Sequence, residues 1–439
     1  MQYNHFMKAC IIGAGASGLA AAKALQDAHI DFDWFEKGSY IGGIWKYQND
    51  NNLSACYKSL HINTSKQIMS YSDFPMPENY PNYPSHELIY DYFNDYARNN
   101  NLLNKVQFNS EVKEVNKLGD FKYEVTVEGK SPQVYNYLLV CNGHHWKPKH
   151  PDFKGNFSGK IIHSHDYKTF DGFEDKRVLI VGIGNSAVDI ACELTKVSKK
   201  VVISTRSGAH VVPKYFFGLP TDHLTGLQPL PFLPLEVQRT FLQGMLLLTR
   251  GEQKNYGLPE PKRKILSEHP TISQELLHYA GHGKITFRPN IKELNKKEVT
   301  FEDGSVEEFD CIIYATGYHI AFPFLSKEIM NTEHNEVELY HKVVHPKHKG
   351  LYFIGLVQPL GPIMPLSEVQ SKWVASLISN KISLPSEKEM ERRIHEDRQK
   401  MAKRYGKSSR HTIQVDYTPY KTLIEKQYTK NPLLRLLPI

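Results

Sequence analysis

This sequence predicts an α/β fold of two doubly wound units, the second inserted into the first. Three observations carry the prediction. A strand, glycine turn, helix and strand occupy the start of the chain, from Lys8 to Glu36. The same pattern returns between Arg177 and Arg206. Apolar, strand-like runs then reappear at Asp310–Ala315 and Leu351–Leu356, beyond an interruption rich in Pro and Leu.

In the first unit, the apolar run Lys8–Ile12 precedes Gly13-Ala14-Gly15-Ala16-Ser17-Gly18. An Ala- and Leu-rich helix follows over Leu19–Leu25, and a β-prone run, Phe32–Phe35, stops at Glu36. Glycines at this spacing let the backbone approach a pyrophosphate, and the helix N-terminus offers it free N–H groups. Glu36 lies 18 residues past the last glycine. A carboxylate there accepts hydrogen bonds from ribose hydroxyls and repels a 2′-phosphate.

The second unit runs through the strand Arg177–Val181, the turn Gly182-Ile183-Gly184-Asn185-Ser186-Ala187, the helix Val188–Leu194 and the strand Val201–Thr205. Here the last glycine is Ala187, and Arg206 stands where the carboxylate would be. A guanidinium clasps a 2′-phosphate through two parallel bonds, which favours NADPH over NADH. Ser186 can reach a phosphate and Asp189 can hold the turn. One ribose-type and one phosphate-type site read as FAD followed by NADPH.

Between the two units, Val106–Val127 alternates like an antiparallel meander, Tyr137–Cys141 is a short strand, and Pro148 and Pro151 mark a boundary. Pro213–Lys264 interrupts the second unit and carries one helix near Leu235–Leu248. Ser367–Ser379 reads as a helix and Glu387–Tyr405 as a charged outer one. The expected division is 1–165 and 315–439 for a discontinuous FAD domain, with 166–314 as the NADPH domain and its insertion near 213–285.

The 439 residues are 40% hydrophobic and 23% charged, which excludes a disordered, collagenous or repeat-dominated chain. The net charge of +7 comes without a long Lys/Arg block, so small anions are expected as partners and nucleic acid is not. The five cysteines are widely spaced with no C-x-x-C pair, which argues against a disulfide framework, a zinc ribbon or a dithiol centre. No metal is expected. Without a signal peptide or a run of about 20 apolar residues, the expectation is a cytoplasmic protein with no membrane span. The oligomeric state stays open, a homodimer included.

A larger set of segments resembles a known family, the flavin-containing monooxygenases, over nearly the whole chain. The most specific is Phe157-x-Gly159-x-x-x-His163-x-x-x-Tyr167, just ahead of the second nucleotide unit. Phe35-Glu36-Lys37, Gly42-Gly43-Ile44-Trp45, Asn63-Thr64-Ser65-Lys66, Ala315-Thr316-Gly317-Tyr318 and Gly355-Leu356-Val357-Gln358-Pro359-Leu360-Gly361 follow in family order. The similarity is greatest to the animal-type branch, although the chain is shorter and expected to be soluble.

The resemblance implies a FAD enzyme that takes hydride from NADPH and adds O₂ to reduced flavin. It then holds a C4a-hydroperoxyflavin for a soft nucleophile such as an amine, a sulfide or indole. It also implies that Asn63 is the active-site Asn near the flavin N5, an uncharged group that both donates and accepts. Gly13, Ala14, Gly15, Ala16, Ser17, Gly18, Glu36, Ile44, Trp45, Ile62, Thr64 and Gln358 are then expected around FAD. Gly184, Ser186, Ala187, Val188, Asp189 and Arg206 are expected around NADPH. Met364, with Pro362 and Pro365, is implied to shape the flavin pocket.

His163 is expected to be structural, and His341, His345 and His348 to lie in a solvated loop and not to chelate zinc. Tyr167 stands where Baeyer–Villiger enzymes typically place Trp. Oxidation of ketones or keto acids remains an alternative, and an electron-transfer flavoprotein reductase is a reading from another class. Asn431–Ile439 is apolar but too short to span, at most an interfacial contact.

Overall fold

The computed structural model describes residues 7–227, 229–405 and 412–429. The apolar segment 431–439 lies outside them. Two compact units emerge: Met1–Ser54, Thr64–Lys147 and His319–Ile439 form one; Ala55–Asn63 and Pro148–Tyr318 form the other.

The first unit is built on a five-stranded sheet in the order Leu351–Phe353, Tyr137–Val140, Lys8–Ile12, Asp31–Phe35, Val106–Gln107. All its pairings are parallel, with Ile12 opposite both Phe35 and Val140. Such strands are covered on both faces and therefore read as continuous apolar runs. The helices Ala16–Asp27 and Met364–Ile378 pack on each other, the latter buried along nearly its whole length. The expected meander is a three-stranded antiparallel sheet, Val112–Gly119, Lys122–Val127 and Gln133–Tyr135. Its Val115, Val125 and Val127 share one core with Cys10, Ile12, Phe35 and Phe353.

The second unit has its own five-stranded parallel sheet: Lys160–His163, Cys311–Tyr314, Arg177–Val181, Lys200–Ser204, Ile285–Arg288. This moves the boundary from where the sequence put it. Residues 148–165 were expected in the first unit, yet Lys160–His163 finds its backbone partners on Cys311–Tyr314. The nine-residue segment Ala55–Asn63 also goes with the second unit, and the return to the first comes at His319. Which edge a short strand joins depends on a partner about 150 residues away, and no local pattern encodes that choice.

The insertion carries the helix Leu235–Arg250, longer than expected by one turn fragment. Leu242 and Leu246 close a small core with Val212, Phe216 and Ile265. Among the described residues, no helix is long and apolar enough to cross a membrane. All five cysteines are free and buried.

Candidate functional site

The three glycines of the first turn are not equivalent. Gly13 adopts φ +99°, and a Cβ there would lie 2.8 Å from the Cys141 carbonyl oxygen. A Cβ on Gly18 would lie 2.0 Å from Gly13 O, an atom that also accepts from Trp34 Nε1 at 2.9 Å. Packing therefore requires glycine at both positions. Gly15 is different: its Cβ would meet the Gly43 backbone at ordinary contact distances, 3.6 Å to Cα and 3.9 Å to N. The helix Ala16–Asp27 begins behind Gly15 with no side-chain cap and no acidic residue in its first turn. An uncapped N-terminus behind a glycine turn suits the pyrophosphate of a dinucleotide.

Glu36 is buried, and its carboxylate is fixed from three sides. Oε2 accepts the Ala14 N–H at 2.7 Å, while Oε1 accepts the Gly38 N–H at 2.9 Å and Asn51 Nδ2 at 3.1 Å. Asn51 was not foreseen; an Asn in a polar loop gives no signal of its own. Gly42 N–H donates to Ala14 O at 2.8 Å, bringing the turn Gly43–Trp45, with Ile44 and Trp45, to the same loop. Ser17 Oγ lies 3.0 Å from Ser367 Oγ. Thr64 is buried, and the backbone of Gln358 pairs with Gln414 in a short parallel strand. These residues, all in the first unit, fit the adenosine and pyrophosphate of FAD: a glycine turn, an uncapped helix start and an anchored carboxylate.

In the second unit, Gly182 adopts φ +121°, and a Cβ would lie 2.5 Å from Ala315 O. The helix Asn185–Leu194 opens at Gly184, again without a side-chain cap or an acidic first turn. Ser186 is exposed at its start, with Ala187 and Val188 buried behind it. Arg206 is exposed two residues beyond the strand Lys200–Ser204 and has no ion-pair partner among the described residues. A second uncapped helix start with a free guanidinium nearby fits a phosphorylated dinucleotide.

Asp189 turns to another partner: its Oδ2 accepts the Tyr57 hydroxyl at 2.8 Å. Burial pushes the Asp189 carboxyl up to about 6, partly offset by that hydrogen bond and by Lys214. Asn63 keeps its side-chain Oδ1 buried with no hydrogen-bond partner among the described residues. A buried acceptor without a donor is a standing deficit that a bound molecule can relieve.

Of the fingerprint residues, His163 and Tyr167 are buried. A Cβ on Gly159 would lie 2.5 Å from Asp310 O. His163 is fully buried, its Nδ1 accepts the His165 N–H at 3.0 Å, and burial lowers its ring to about 4, so it stays neutral. Tyr167 donates to Glu193 Oε2 at 2.7 Å.

The solvated loop expected at His341, His345 and His348 needs correcting. His341 is buried against Tyr340 and Trp373, because left-handed backbone at His341 and Lys342 folds the loop inward. His345 Nδ1 accepts the N–H groups of Lys347 and His348, and burial holds the ring at about 3. No cluster among the described residues could hold a metal ion.

The family model described as flavin-binding monooxygenase-like matches residues 7–438. The chain belongs to this family. Among its relatives, flavin-containing monooxygenase 5 of Oryctolagus cuniculus is 39% identical over 430 residues, covering 93% of this chain and 80% of the relative. Dimethylaniline monooxygenase [N-oxide-forming] 2 of Pan troglodytes is 36% identical over 434 residues, covering 94% and 81%. The solved S-allyl-L-cysteine S-oxygenase of Allium sativum superposes with a TM-score of 0.72 at 27% identity, covering 98% of this chain and 91% of the other. As a flavin-containing monooxygenase, the protein uses FAD and NADPH.

Proposed function

We propose that the protein transfers one oxygen atom from O₂ to the nitrogen or sulfur of small soft nucleophiles, amines and sulfides among them. The balance is NADPH + H⁺ + O₂ + substrate giving NADP⁺ + H₂O + oxygenated substrate. The first glycine turn and Glu36 would hold FAD, with Ile44, Trp45, Thr64 and Gln358 of the same unit around it. The second turn, Ser186 and Arg206 hold NADPH. Bound FAD would supply the redox chemistry, passing reducing equivalents from NADPH to O₂.

The chain's own task is to keep water out and to hold hydrogen-bonding groups still, so that activated oxygen reaches substrate and is not lost as hydrogen peroxide. The observation that carries this reading is the buried, unpartnered Oδ1 of Asn63. An amide both donates and accepts, so Asn63 would hold a polar group of a bound molecule without adding a charge to the buried site. The relatives named for N-oxide formation and S-oxygenation point to the same substrate class. Free, buried cysteines supply no dithiol relay of the kind that disulfide reductases use.

The test is stoichiometry in the holoenzyme, with thioanisole and N,N-dimethylaniline as probes. Oxygenated product should match most of the NADPH consumed. Conversion of all reducing equivalents to hydrogen peroxide, whichever nucleophile is present, would remove the reading.

A further inference from the structure

The segment Ala55–Asn63 is tied to the second unit at four points. Lys58 N–H donates to Lys168 O at 2.8 Å, and Lys168 Nζ donates to Cys56 O at 3.2 Å. The Tyr57 hydroxyl donates to Asp189 Oδ2 at 2.8 Å, and Lys214 Nζ donates to Ile62 O at 3.2 Å. The last of these holds the carbonyl of the peptide bond that leads into Asn63. Tyr57 is buried edge-on against Tyr167, with ring centroids 6.1 Å apart. Tyr167 in turn bonds Glu193, one turn beyond Asp189 on the helix Asn185–Leu194. One face of the helix that opens at the second glycine turn therefore grips the segment that ends in Asn63.

We propose that Tyr57, Asp189 and Lys214 are positioning residues that fix the Asn63 amide, so that the clamp they form governs how completely oxygen reaches substrate. This rests on the role assigned to Asn63 above. The clamp is electrostatically self-consistent. Burial pushes the Tyr57 hydroxyl well up, so it remains a donor. Burial lowers the Lys214 ammonium, while Asp189 and Glu275 favour its charged form. Asp189 faces Tyr57, Lys214, Glu275 and His61, and its carboxyl, raised to about 6 by burial, is a full acceptor only above that pH.

The experiment uses FAD-loaded Tyr57→Phe, Lys214→Met and Lys214→Arg. Each should reduce its flavin with NADPH at a rate within about two-fold of the parent, as expected when binding and hydride transfer are untouched. Tyr57→Phe and Lys214→Met should each release at least about three-fold more of their NADPH equivalents as hydrogen peroxide with thioanisole present. Lys214→Arg should recover most of the coupling. In the parent, peroxide release should rise as pH falls through about 6, and this rise should be absent in Tyr57→Phe. Amide hydrogen exchange over residues 55–63 should be faster in Tyr57→Phe and Lys214→Met.

Unchanged exchange and unchanged coupling in both variants would overturn the clamp. A parent enzyme that never forms product would instead overturn the monooxygenase reading, and the exchange rates would still decide whether the clamp exists.

Discussion

Glu36 Oε2 accepts the Ala14 N–H at 2.7 Å, which fastens the end of the second strand to the turn that follows the first. The carboxylate is already placed by the chain itself and needs no ligand to orient it. Glu36→Ala leaves the Ala14 N–H, the Gly38 N–H and Asn51 Nδ2 without their acceptor. Unsatisfied buried donors cost about 1–3 kcal/mol each, so thermal unfolding should show a loss of at least about 2 kcal/mol. The purified variant should also carry little FAD, read from its visible absorbance.

Gly15 and Gly18 should behave in opposite ways. Gly18→Ala forces a Cβ to within 2.0 Å of Gly13 O, and should destabilise the fold by about 3 kcal/mol or more even without cofactor. Gly15→Ala meets nothing closer than 3.6 Å and should leave apoprotein stability within about 1 kcal/mol. Its FAD dissociation constant should rise at least about tenfold, since a methyl group at the turn keeps a pyrophosphate from approaching the backbone closely. Apoprotein melting and FAD titration on the two variants check this directly.

Arg206 stands exposed without an ion-pair partner among the described residues. Arg206→Ala should raise the KM for NADPH by about 10- to 100-fold and leave that for NADH within about two-fold. Equal effects on both would place the 2′-phosphate elsewhere.

Asn63→Ala removes the orphaned acceptor. Anaerobic flavin reduction should proceed at nearly the parent rate, whereas product formation should fall by about 10²-fold or more, with hydrogen peroxide replacing it. Loss of the reductive step would show that Asn63 acts on hydride transfer instead.

Asp189 carries a stability cost that depends on pH. Its folded carboxyl sits at about 6, above its ordinary value of 3.8, so its contribution favours the fold below about 4 and is lost as pH rises through 6. Asp189→Asn should therefore gain stability relative to the parent as pH rises from 4 to 8, on the order of 2–3 kcal/mol across that window. Denaturant melts of both proteins at several pH values give the difference, free of groups common to both. The same substitution should weaken the hold on Tyr57, so stability and coupling should move in opposite directions.

Much of this architecture is legible along the chain. The strands Lys8–Ile12 and Arg177–Val181 and the charged helix Glu387–Tyr405 lie where periodicity puts them, and the helix predicted near Leu235–Leu248 forms as Leu235–Arg250. The helices His86–Asn99 and Tyr417–Tyr428 went unread; in the first, apolar positions are spread among tyrosines and charges, which blurs the periodic signal. The inward fold of His341 was also hidden, because two left-handed residues in succession contradict the local expectation for His and Lys.

By itself, the sequence determined the two glycine turns, the carboxylate after one and the guanidinium after the other. Each is a short-range requirement: a backbone that must bend without a Cβ, followed by a strand of set length. The tertiary structure alone decided that Asn51 holds Glu36, that Ala55–Asn63 belongs with the second unit, and that Asp189 grips Tyr57 across 132 positions of chain. Those choices depend on which buried donor finds which acceptor after the sheets have formed. Hydrogen-bond satisfaction in a packed interior is a property of the whole fold and leaves no mark in a local window of residues.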